Sequence, residues 1–117
     1  MTNPDKRTSY LKKLVSASRA VVTYQVGLPL GCKRIAGILF ALRPFEPLDY
    51  PVFADYGKAT RDLPVGTERL HWSRDALREK DVRLEALNRK FRDRVFDACY
   101  DILDQYSTPV EKPRKVT

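Results

Sequence analysis

Apolar residues recur at spacings of three and four from Leu11 onward. Leu11, Leu14, Val15, Val22 and the Gln25-Val26 step share one side of a helical projection, while Lys12, Ser16, Arg19 and Thr23 fall on the other. The pattern predicts an amphipathic first helix that starts at Asn3-Pro4-Asp5, where asparagine suits the cap, proline the first helical position and aspartate the first turn. Gly27 and Pro29 predict its stop. Pro29 also suits the opening turn of a second helix whose apolar side is Cys32, Ile35, Ile38, Leu39 and Leu42. The short connection predicts a hairpin, with Gly27, Gly31 and Gly37 letting the backbones approach.

From Arg43 to Trp72 the periodicity breaks. Pro44, Pro47, Pro51 and Pro64, with Gly57 and Gly66, punctuate the segment and predict a long ordered loop packed by Phe45, Tyr50, Phe53 and Tyr56, with a short extended piece at Val52–Ala54. Ser73 is a good cap for a third helix, and Trp72 and Leu77 occupy the two positions of a hydrophobic staple. Leu77, Leu84, Leu87, Phe91, Val95, Ala98, Cys99, Ile102 and Tyr106 then collect on one stripe up to the stop at Thr108-Pro109. Glu79/Arg83, Glu85/Arg89 and Arg89/Asp93 are spaced to pair outside it. Val82, Phe96 and Leu103 form an apolar shoulder beside the stripe. Such a helix runs about 50 Å, longer than a globule of this size is wide. It either bends, or projects and is covered by a partner or by another subunit, for instance in a homodimer through the long helix.

These elements make an all-α fold: a helical hairpin and one long C-terminal helix, joined by a long loop rich in proline and aromatic residues. The 117 residues, 43% hydrophobic and 32% charged, suit a single helical domain over 1–106. Residues 107–117, with two prolines and three basic side chains, read as a disordered basic tail. No window suits a membrane span, and no apolar stretch follows the N-terminal Lys6 and Arg7, so a cytoplasmic address without membrane association is expected. The net charge of +7 is uneven: residues 1–43 carry eight basic side chains against Asp5 alone. A basic face attracts an acidic protein or a nucleic acid alike.

Chemistry is sparse. Gly27-Leu-Pro-Leu-Gly31-Cys32-Lys33-Arg34 lacks the spacing and the Ser or Thr of a phosphate loop, and follows a helix where a strand is needed. Cys32, Cys99 and His71 lack metal-ligand spacing, so no metal site is expected. The two cysteines lie on apolar helix sides, as inert buried thiols do. No motif places a nucleophile for His71, and nothing asks for a cofactor, so no catalytic residue is assigned and the chain does not read as an enzyme. Asp93, Asp97, Asp101 and Asp104 interleave with basic residues as a solvated face does. Lys6, Arg7, Lys12, Lys13, Arg19, Lys33 and Arg34 suit phosphates, but no recognition helix or stacking aromatics accompany them.

The segment Thr60-Arg61-Asp62-Leu63-Pro64-Val65-Gly66-Thr67-Glu68-Arg69-Leu70-His71-Trp72 is the most distinctive. Leu63-Pro64 is an extended step, Gly66 permits a turn, Arg69 is placed to pair with Asp62 or with a helix-capping carboxylate, and Trp72 is placed to anchor the loop to the core. With Arg19 to Gly27 and Gly31-Cys32 upstream, this pattern resembles a family of small bacterial proteins of unknown function. That family carries a Thr-x-Asp-Leu-Pro-x-Gly-x-x-Arg-x-x-Trp loop between a glycine-broken hairpin and a long charged helix, and the resemblance spans about residues 14–103. Such proteins are similar to immunity proteins that neutralise a toxin by direct binding. The resemblance implies a non-catalytic protein-binding module, an immunity or antitoxin protein in its sharpest form, and the basic surface asks for a partner with an acidic patch. Arg19, Arg34, Arg61, Arg69 and Trp72 are the expected partner contacts. The alternative is a nucleic-acid-binding regulator that uses the basic hairpin.

Overall fold

The computed structural model describes residues 4–64 and 67–107. It is all-α among those residues: α1 (Pro4–Val22), α2 (Leu28–Leu42), α3 (Pro51–Ala59), a 3₁₀ helix (Thr67–His71) and α4 (Arg74–Tyr106). The α1–α2 hairpin packs on α4 chiefly through α1, and α3 fills the space between α2 and α4. Asn3, Gly66 and the Thr108-Pro109 stop, with the tail from 108 onward, lie outside the described residues.

The first helix ends four residues before its apolar pattern does. Tyr24 takes a left-handed conformation, φ 62°. The Tyr24 N–H donates to the Val21 carbonyl and the Gln25 N–H to the Ala20 carbonyl, at 3.1 and 2.9 Å. This is a Schellman stop with tyrosine where glycine is usual. A non-glycine residue there is strained; the Tyr24 ring is 76% exposed and stands 5.6 Å from that of Phe96 on α4. Gly27 is therefore not the stop; its extended φ of −74° and ψ of 167° make it the cap of α2, with Pro29 in the first turn. Gly31 makes the close approach: a Cβ there would stand 2.4 Å from Cγ2 of Val21. Gly37 contributes no such approach, because a Cβ there would meet nothing within 4 Å.

The segment expected to be a loop holds a further helix. Pro51 opens α3 at a position where its missing N–H is not needed, and Val52, Phe53 and Tyr56 form its buried face. The predicted extended piece at Val52–Ala54 is the first turn of that helix. Phe53 and Tyr56, each 1% exposed, join Leu14, Val21, Ile35, Leu42, Val95 and Ile102 in one core. The Tyr56 ring meets Phe91 edge-on at 5.6 Å, and its hydroxyl donates to Oδ1 of Asn88. The prolines thus punctuate around a short helix without excluding it.

Ser73 caps α4, its Oγ accepting from the Ala76 N–H at 3.2 Å. The buried positions of α4 are Phe91, Val95, Cys99, Ile102 and Leu103, all in its C-terminal half. The apolar shoulder divides accordingly: Leu103 is buried, Phe96 packs partly, and Val82 is 65% exposed. The molecule measures 48 × 39 × 21 Å. It is a slab about as long as its last helix, so α4 fits without a sharp bend.

Candidate functional site

The five expected contact residues fall in four places. Arg69 and Trp72 belong together. From the 3₁₀ helix, Arg69 makes a two-pronged contact with Asp81 of α4, 2.7 Å to Oδ1 and 2.9 Å to Oδ2, and also donates to the Pro64 carbonyl at 3.1 Å. These hydrogen bonds hold the Asp81 carboxyl below the usual carboxylate range and raise Arg69. The expected Arg69–Asp62 pair does not form. Asp62 instead accepts from Arg83 at 3.3 Å, and its carboxyl is lowered first by a backbone hydrogen bond and then by Arg83. Sequence proximity favoured Asp62, but the 3₁₀ helix lies along the first turns of α4 and so brings Asp81 within reach.

Trp72 does not anchor the loop to the core. It is 38% exposed, with the Lys80 ammonium 5.9 Å from its ring centroid. With Leu70, Arg74, Leu77 and Val82 it lines a broad open depression on the N-terminal half of α4. Leu70 is 84% exposed and reaches no core partner.

Arg61 follows α3 and lines a depression of about 340 Å³ between α2 and α3, together with Lys33, Cys32, Ala54 and Gly57. A neighbouring depression of about 320 Å³ shares its Ala36, Phe53 and Ala54 floor and is bounded by Phe40 and Arg43. The two form one shallow groove along the α2–α3 seam. Arg34 is exposed on α2, on the flank away from that groove. Arg19 is half-buried in the last turn of α1, apart from the other four, and its carbonyl accepts both the N–H and Oγ1 of Thr23. Arg7, expected on the basic face, is engaged by Glu46, with Nε to Oε1 at 2.7 Å.

Sequence reasoning missed the outer face of α2. Leu30 and Phe40 are 51% and 68% exposed, and Lys33, Arg34 and Gly37 lie exposed between them. At 100° per residue these five positions span about 120°, opposite Ile35 and Leu42. The signal was present: Leu30 and Phe40 fit neither the apolar side of the helix nor a solvated one.

Cys32 and Cys99 are free and buried, and burial pushes both thiols up to about 12, which keeps them protonated at neutral pH. Among the described residues no three His, Cys, Asp or Glu side chains cluster to hold a metal ion, and no helix is long and apolar enough to cross a membrane. Comparison with protein families, curated proteins and solved structures finds no match for the chain.

Proposed function

We propose that this protein is a non-catalytic binding module for a protein that presents an acidic patch, with an immunity or antitoxin role as its sharpest form. The outer face of α2 carries the reading. A helix packed in a stable core that still exposes a leucine and a phenylalanine among basic side chains, with no carboxylate anywhere along it, has the composition of an interface centre within a charged rim. The buried, protonated thiols fit a role without covalent chemistry. The nucleic-acid alternative draws support only from the basic excess of residues 1–43, and Glu46 already engages Arg7.

The test is capture of partners by the tagged full chain from its native lysate, with and without nuclease and at low and high salt. A stoichiometric protein that survives nuclease and is lost with Phe40→Glu is expected. Nucleic acid alone, released by salt, would promote the regulator instead.

A further inference from the structure

We propose that the outer face of α2 receives an acidic amphipathic helix of the partner, which crosses α2 at Gly37. This rests on the protein-binding reading above and specifies what occupies the face.

Shape is the first argument. Gly37 stands in the middle of the exposed face, where an added Cβ meets nothing within 4 Å. The chain's own packing has no need of a glycine there, in contrast to Gly31 against Val21. Glycine weakens a helix interior relative to alanine, and at Gly37, as at Gly57 on α3, the bare backbone leaves room for something approaching from outside. A missing side chain lets a second helix come to the short end of interhelical distances. Leu30 and Phe40, 51% and 68% exposed, stand on either side of the notch as apolar supports for the crossing chain.

Charge selects the occupant. Lys33 and Arg34 are exposed within the face, Arg43 sits 5.7 Å from the Phe40 ring centroid at its end, and α2 itself holds no acidic residue, although Asp49 lines the depression beside Phe40 and Arg43 and Glu68 the one beside Lys33. Acidic flanks on the visiting helix complement this rim. The chain's own C-terminal segment, with Lys112, Arg114 and Lys115 against Glu111, carries the wrong sign. A second copy is a poor match, because the aspartates of α4 alternate with Arg89, Lys90, Arg92 and Arg94. A phosphate backbone would use the basic residues but not the notch or its apolar supports.

The full chain, isotope-labelled, would be titrated with three peptides of equal length and helicity. One is amphipathic with leucine on one face and glutamate elsewhere; one has the same composition scrambled; one replaces glutamate by lysine. The acidic amphipathic peptide is expected to shift the amides of α2 and to bind about tenfold tighter than either control. Gly37→Leu, which helix propensity favours, is expected to weaken it about tenfold without lowering Tm. Equal binding of the scrambled peptide, shifts centred away from α2, undiminished affinity in Gly37→Leu, or tighter binding of a DNA duplex to the same face would overturn the proposal. So would a dimer of the free chain, seen by light scattering, that Gly37→Leu dissociates. If lysate capture fails with Phe40→Glu yet persists with Gly37→Leu, the binding reading stands and the helix crossing falls.

Discussion

Two glycines of α2 have opposite meanings at the scale of single residues. At Gly31 a methyl group would press on Cγ2 of Val21 at 2.4 Å, and Val21 is 1% exposed and β-branched, with little freedom to turn aside. Gly31→Ala is expected to lose about 1 to 2 kcal/mol net, overpacking outweighing the gain in helix propensity. Gly37→Ala is expected to gain about 0.5 to 1 kcal/mol, since nothing opposes the added methyl. Urea unfolding of the two variants against the parent checks both signs. The same contrast marks a limit of sequence reading. Three glycines in one hairpin suggest close approach, but only the position of Val21 across the helix interface tells which of them is used for it.

The 3₁₀ helix and its seam with α4 form an element-scale unit held by Arg69 and Asp81. Because the carboxyl of Asp81 is lowered by that contact, the contribution is complete above the ordinary carboxylate range near pH 4 and is lost as pH falls through the depressed value. Trp72, the chain's only tryptophan, sits at this seam. Its emission is therefore expected to hold steady from pH 7 to about pH 5 and to change below about pH 4; in Asp81→Asn the acid-like emission should already be present at pH 7. An unchanged emission in that variant would separate the tryptophan from the clasp. Elements with long periodic faces were legible from sequence: α2, α4 and its Ser73 cap stand where the spacing put them. The short α3 was not, because three inward residues between prolines have the same appearance in a turn and in a helix. The end of α1 was misread for a different reason. Its stop puts a tyrosine in the left-handed conformation that usually belongs to glycine, so no residue at that position signals it locally.

On the scale of the molecule, the core is gathered at one end of the long helix. All the buried positions of α4 lie between Phe91 and Leu103, so amides there are expected to exchange hydrogen more than about tenfold slower than those of 74–88. Equal protection along the helix would mean that the first turns are covered in solution. The excess of basic residues in 1–43 was readable from sequence as a count along the chain. The surface that concentrates apolar and basic groups together was not, since Leu30 and Phe40 only become conspicuous once the opposite side of α2 is known to be full.

The continuity of α4 carries a mechanical consequence. Arg74 stands about 25 Å along a rigid helix from Phe91, where the core takes hold. A tilt of about 10° at the core would sweep the far end through about 4 Å, and a grip on the far end would exert torque on the core in return. The Arg69–Asp81 and Arg83–Asp62 pairs tie that half of α4 to the segment before it, and loosening both would free a fixed strut to act as a lever.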